Sequence, residues 1–325
     1  MQARLLHEDD VPSGELVLWF PSKKSQRATF SAPSDNRPLT ADQMVHFDDS
    51  PASDLTQEPS GLNPAPWIGL SCFLADATTR SVADTLTRYF NRHEIMRTVF
   101  DSDDFGSLTR SVIPQDHATF EPVSFGHLDA SKNHARLARH LARETRCTEW
   151  PYAGFAMIHH DGGATLFAAF DHMVFDGYSM YVSLEEFPRL HAGVLTDRPA
   201  PADAPSHADY ALLEYTKLAE IGPNSPEVNT WRNALNEHNR LPGLPKSTGV
   251  KPGEEWPHEF LSIPLLSVAE TDRAREVFQA NGDATGLGFL SGIISAVAEQ
   301  EAGGEVSFLV SSHNRPNANW ATSIG

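Results

Sequence analysis

Ala164-Thr-Leu-Phe-Ala-Ala-Phe170, running straight into Asp171-His-Met-Val-Phe-Asp-Gly177, is the stretch on which the fold turns. Five apolar residues in succession, Leu166 to Phe170, leave this segment no solvent face, which predicts a central strand covered on both sides. Ala153-Gly-Phe-Ala-Met-Ile-His159 precedes it, and Asp161-Gly-Gly163 between them suits positive φ angles, so the two strands form a hairpin. A helix is expected to begin after Gly177 and to include Met180, Tyr181, Leu184 and Phe187. His172 then sits where a buried strand gives way to a helix.

Working outward, the same alternation recurs. Glu15 to Phe20 is short, apolar and followed by Pro21, which predicts a strand. Leu39 to Phe47 predicts a short helix with Thr40 as N-cap and Gln43 at the capping-box position. Trp67 to Leu74 predicts a buried strand, and Thr79 to His93 a helix with Val82, Leu86, Tyr89 and Phe90 on its buried face. Strands at 98–100 and 108–113 flank an acidic turn at 101–106, and a helix at 129–146 stacks Leu137 and Leu141 one turn apart. Strand followed by helix is an α/β pattern. The Pro-rich run Arg198 to Pro205 reads as a connector, giving a first lobe at 1–197 and a second at 206–325. The second lobe is expected to hold helices at 206–221, 225–239, 267–280 and 285–300, with strands at 259–263 and 306–311.

Composition narrows the function classes. The 325 residues include 25 basic and 43 acidic side chains, for a formal charge of −18, which argues against a surface that tracks nucleic-acid phosphates. The first residues carry Glu8, Asp9 and Asp10 with no apolar core of a signal peptide, and no apolar run is long enough to span a bilayer. Two distant cysteines, Cys72 and Cys147, fit a reducing compartment, so a cytoplasmic protein is expected. His159 and His160 are neighbours on a strand and point to opposite faces, so no metal site is expected with His172. The stripe Arg136, Arg139, Arg143 and Arg146 reads as a solvated helix face.

At the strand–helix junction each residue type has a candidate role. An imidazole titrates near neutrality, so His172 can take a proton from an incoming hydroxyl or amine and return it. A carboxylate beside a buried turn is costly unless an arginine or backbone donors hold it, which gives Asp176 a structural role. Gly177 lacks a Cβ and would let backbone amides at the helix start approach a substrate. Alone, His-x-x-x-Asp-Gly is short enough to arise by chance and reads first as a hydrogen-bonded core histidine beside a turn.

Other stretches point further. Arg92-His-Glu-Ile-Met-Arg-Thr-Val-Phe100, Leu39-Thr-Ala-Asp-Gln43, His207-Ala-Asp-Tyr210 and Ser311-Ser-His-Asn-Arg315 with Ser323-Ile-Gly325 occur in the order, and at about the spacing, of recognised motifs. Together with the His172 motif they resemble the condensation-domain superfamily of nonribosomal peptide synthesis and its polyketide-associated acyltransferase relatives. The resemblance implies an α/β fold of two chloramphenicol-acetyltransferase-like lobes, with the motif histidine in a tunnel between them. The second lobe is expected to be incomplete, because these families continue beyond the position of Gly325. It further implies that His172 is the general base for moving an acyl group from a phosphopantetheine or coenzyme A thioester to an alcohol, with an amine as a close variant. The implied partners are an acyl or peptidyl carrier protein, or acyl-CoA, and a small acceptor, with no bound cofactor. Asp176 would pair with Arg97 or Arg315, Arg92 being a third choice, and Asp171, Tyr178 and Ser179 would lie along the substrate channel. Asp171 stands where peptide-forming members usually carry a second histidine, which leans toward the ester-forming branch. The rival of a different class is a catalytically silent carrier-protein-binding module, or a fragment of a longer enzyme.

Overall fold

The computed structural model describes residues 6–49, 67–102, 108–147, 149–160, 163–235, 266–282 and 313–325, together with 249, 251, 264, 292 and 294–297. Its centre is a five-stranded antiparallel sheet built from β1 (Gly14–Pro21), β2 (Trp67–Ala75), β5 (Phe120–Leu128), β6 (Ala153–His160) and β7 (Gly163–Asp171). The order is β2-β7-β6-β1-β5, and β3 (Thr98–Ser102) pairs with β4 (Leu108–Val112) as a separate ribbon. In the hairpin, Ala153 lies opposite Phe170 and His160 opposite Gly163. The predicted turn residues Asp161 and Gly162 lie outside the described residues.

Strand alternation divides the core in two. From β7, Leu166, Ala168 and Phe170 enter one apolar cluster, while Phe167 and Ala169 enter the other. β1 does the same with Val17 and Trp19 against Leu16 and Leu18. Both faces are covered, as the unbroken apolar run of β7 requires. The larger cluster is roofed by α3 (Thr79–Arg92) and α5 (Gly177–Leu195), which contribute Val82, Leu86, Tyr89, Phe90, Phe187 and Leu190. α4 (Ala130–Glu144) covers the other with Leu137 and Leu141. At a transfer value of ~25 cal/mol per Å² of apolar surface, each fully buried side chain of this kind contributes about 1.5–3 kcal/mol.

Two elements were not expected. α1 (Lys23–Phe30) buries only Ser25 and Ala28, and it is held by polar contacts, with Ser22 capping Ser25 N and Ser25 Oγ donating to the Thr119 carbonyl at 2.6 Å. β5 is an edge strand that pairs with β1 alone and carries Pro122 and Gly126, so it lacks the alternation by which strands are recognised. The helix anticipated at 39–47 is α2 (Ala41–Asp49), entered through the expected capping box, with Gln43 N on Thr40 Oγ1 and Thr40 N on Gln43 Oε1, each at 3.2 Å.

One compact unit comprises 6–219 with 313–325; residues 220–312 belong to the other. α6 (His207–Glu220) stays with the sheet unit because Arg37 donates to Asp209 Oδ1 at 2.7 Å and to Ser206 Oγ at 3.1 Å, and Ala208 and Ala211 are buried. Further along, α7 (Pro226–Ala234) and α8 (Val268–Ala280) are present where helices were expected. The strands expected at 259–263 and 306–311, and most of the helix at 285–300, lie outside the described residues. Among the described residues no helix is long and apolar enough to cross a membrane.

Beneath α4, burial pushes the His140 imidazole down to about 4, although its Nε2 lies 3.1 Å from the Phe155 carbonyl. The unfolded chain, with a histidine near ~6.5, takes up a proton that the fold refuses, so stability is full above that value and falls as pH drops toward about 4. Chemical denaturation at a series of pH values is expected to show this decline, and His140→Gln should lessen it, part of the remainder coming from His207, which burial also pushes down to about 4.

Candidate active site

β7 ends at Asp171, and the next three residues form a turn whose shape is fixed by burial on either side of one exposed side chain. Asp171 is 3% exposed, and Met173, Val174 and Phe175 are buried, while His172 is exposed. Asp171 Oδ1 accepts from Met173 N at 2.7 Å, and Val174 N donates to the Asp171 carbonyl at 3.2 Å. Phe175 then folds back on Phe170, their rings 4.0 Å apart and only 9° from parallel. Such a stack adds ~0.5–1.5 kcal/mol beyond the area buried, enough to favour one path for the four residues between the rings. The result is an imidazole set out from the end of a doubly covered strand.

Asp176 closes the turn and opens α5. Its Oδ1 accepts from Ser179 N at 2.8 Å and from Ser179 Oγ at 2.5 Å, the arrangement of an N-cap. Arg315 grips the same carboxylate with both terminal nitrogens, Nη1 on Oδ2 and Nη2 on Oδ1 at 2.9 Å, and its side chain is 8% exposed. Nη2 also lies 3.0 Å from Ser179 Oγ, 3.1 Å from the Ser323 carbonyl and 3.3 Å from the Gly325 carbonyl. One guanidinium thus ties the start of α5 to the segment 323–325, in which Ile324 is buried. Burial would raise the Asp176 carboxyl, but the hydrogen bonds from Arg315 and Ser179 outweigh it and hold it below its ordinary value. This pair contributes stability above an ordinary aspartate value of ~3.9 and loses it as pH falls through the depressed one.

α2 reaches the turn from another side. Gln43 and His46, three residues apart and so on one helix face, both touch it. Gln43 Nε2 donates to the Met173 carbonyl at 3.0 Å, and His46 Nε2 lies 3.2 Å from Asp171 Oδ1. The His46 and His172 ring centroids are 5.6 Å apart at 45°.

The arginine left open in the sequence is Arg315. Arg97 points elsewhere, donating to the Phe90 carbonyl at 3.1 Å and the Ile113 carbonyl at 2.6 Å, where it braces α3 against the β3–β4 ribbon. Arg92 pairs with Glu186, which also holds His93 Nε2 at 2.5 Å. Of the channel candidates, Asp171 and Ser179 are buried and hydrogen-bonded to other residues of this turn and its supports. Tyr178 is half-buried, its ring 4.3 Å from that of His313 and beneath the Arg315 guanidinium at 4.8 Å. An added Cβ at Gly177 would meet nothing within 4 Å, so neighbouring atoms of the chain do not demand glycine there.

An antiparallel sheet layered with helices, with the motif histidine leaving a central strand and its aspartate locked by a distant arginine, defines a chloramphenicol-acetyltransferase-like unit. The chain belongs to the condensation-domain family, whose profile matches residues 75–325. It is 24% identical over 296 residues to the 2'-acyl-2-O-sulfo-trehalose (hydroxy)phthioceranyltransferase PapA1 of Mycobacterium tuberculosis strain CDC 1551 / Oshkosh, covering 89% of this chain and 55% of that one. It is likewise 24% identical over 312 residues to the acyltransferase PapA3 of the same strain, covering 93% of this chain and 63% of that one. The chain therefore spans between half and two thirds of these relatives' length. Among solved structures, the condensation domain of the monacolin K polyketide synthase MokA superposes with a TM-score of 0.60 at 17% identity, covering 89% of this chain and 65% of that one. The PapA2 acyl transferase gives 0.58 at 16% identity, over 69% and 48%. At these identities the likenesses speak to fold.

Proposed function

We propose that this protein transfers an acyl group from a phosphopantetheine or coenzyme A thioester to an alcohol, with His172 as general base. The observation that carries this is the exposed imidazole on a turn braced through Asp176 by Arg315 and through Met173 and Asp171 by α2. His172 takes the proton of the acceptor hydroxyl as its oxygen attacks the thioester carbonyl. The tetrahedral oxyanion, held by backbone donors, collapses with loss of the thiolate, which recovers the proton from the imidazolium. No covalent acyl-enzyme is needed. The names of PapA1 and PapA3 as acyl-transferring proteins support this class, and Asp171 in place of a second motif histidine supports ester over amide formation. The reaction is placed in the cytoplasm, where carrier-bound and coenzyme A thioesters are made.

The test is stoichiometric. The chain is incubated with acyl-CoA, acyl-pantetheine and acyl-carrier-protein thioesters of several chain lengths and a panel of alcohols and amines, and free thiol, product and bound carrier protein are followed by mass spectrometry. One ester per thiol released, with no acyl adduct on the protein, is the expected result. Binding of carrier protein without thiol release would instead favour a silent docking module.

A further inference from the structure

Asp171 is a 3%-exposed carboxylate whose backbone donor is Met173 N and whose side-chain partner is His46. Such a group is costly to bury, and His46 Nε2 meets it at 3.2 Å while the His46 side chain itself retains 19% exposure. The ring held in this way lies 5.6 Å, centroid to centroid, from the one imidazole the motif sets out to solvent. Gln43, one helical turn before His46, fixes the same turn by its Met173 carbonyl. α2 therefore grips the residues immediately before and after His172 while presenting a carboxylate-anchored ring to its side.

We propose that His46 is a positioning residue for His172, with Asp171 as its anchor. This rests on His172 being the general base. The His46 ring limits the orientations open to the neighbouring imidazole, and Asp171 keeps the His46 ring from swinging away. An aspartate before the motif histidine and a histidine on the first helix then form one device, assembled from residues 125 positions apart.

The test is a two-residue cycle on the whole chain. His46→Ala is expected to lower kcat about tenfold with KM nearly unchanged, since misplacement of a reacting group of under 1 Å suffices for a loss of this order. In a His172→Ala background the same change should alter the residual rate by less than about twofold, because its effect passes through the missing ring. His46→Gln keeps an N–H donor for Asp171 but has no ring, and should melt within about 2 °C of wild type while remaining slow. A wild-type kcat in His46→Gln, or equal losses from His46→Ala in both backgrounds, would overturn the proposal. A wild-type rate in His172→Ala alone would overturn the general-base reading instead. A measurement that needs no substrate runs beside it: diethyl pyrocarbonate modification of His172, followed by peptide mass. His46→Ala should change that rate about threefold or more, as expected for directly coupled side chains, with exposed His117 unaffected. An unchanged His172 rate would count against the proposal.

Discussion

With His172 as the general base proposed above, His172→Ala is expected to lower ester formation by about 10²–10⁴-fold, the range that a positioned general base contributes. The loss should fall equally on kcat and kcat/KM, because on that reading a proton moves to the imidazole only as the transition state forms. Little stability goes with it. The side chain is exposed, and the turn is shaped by the Phe170–Phe175 stack, the Asp171 contact to Met173 N and the Asp176 cap, none of which involves the His172 ring. An exposed substitution of this kind stays within ~0.5 kcal/mol, so the melting temperature should barely move and the rate loss can be assigned to chemistry. Steady-state thiol release and thermal melts on the same preparation check both halves of this expectation.

Arg315→Ala has the opposite signature, with stability and rate falling together. Removing one partner of a buried ion pair costs ~3–5 kcal/mol. Asp176 retains 26% side-chain exposure, and water can compensate in part, so about 2–3 kcal/mol is expected here. The loss spreads to the segment 323–325, because Arg315 also holds the Ser323 and Gly325 carbonyls and Ile324 is packed in the core. Replacing both partners by neutral ones, Arg315→Gln with Asp176→Asn, should cost less than the sum of the single changes, as coupled neighbours do. Arg97→Gln offers the contrast. It removes donors to the Phe90 and Ile113 carbonyls, so its stability loss should be unaffected by whether residue 176 is Asp or Asn. Denaturant unfolding of wild type, Arg315→Ala, Arg315→Gln, Asp176→Asn, Arg97→Gln and the two double variants that carry Asp176→Asn tests this.

What the sequence discloses and what it hides follow from the range of the interactions involved. The apolar run of β7, the helical periodicity of α3 and α4 and the capping box of α2 are local signals, and each element lies within a few residues of its expected place. α1 and β5 gave no such signal. The first depends on the hydroxyls of Ser22 and Ser25 finding Thr119, and the second on an edge pairing that its exposed and Pro-containing sequence does not advertise. The choice between Arg97 and Arg315 could not be made along the chain, because Asp176 and Arg315 are 139 residues apart and meet only when the chain's last residues pack against α5. His46 was missed for the same reason. Its one local hint was its position three residues after Gln43, on the face that a capped helix turns toward its neighbour.

The most direct measurement is ester formation by a His172→Gly chain with and without free imidazole, using the thioester and alcohol that the wild-type protein turns over best. An imidazole acting as base predicts a chain that is nearly inert alone and recovers in proportion to the imidazole supplied, while keeping the wild-type melting temperature. A His172→Gly chain that forms ester at the wild-type rate with no imidazole present would contradict it.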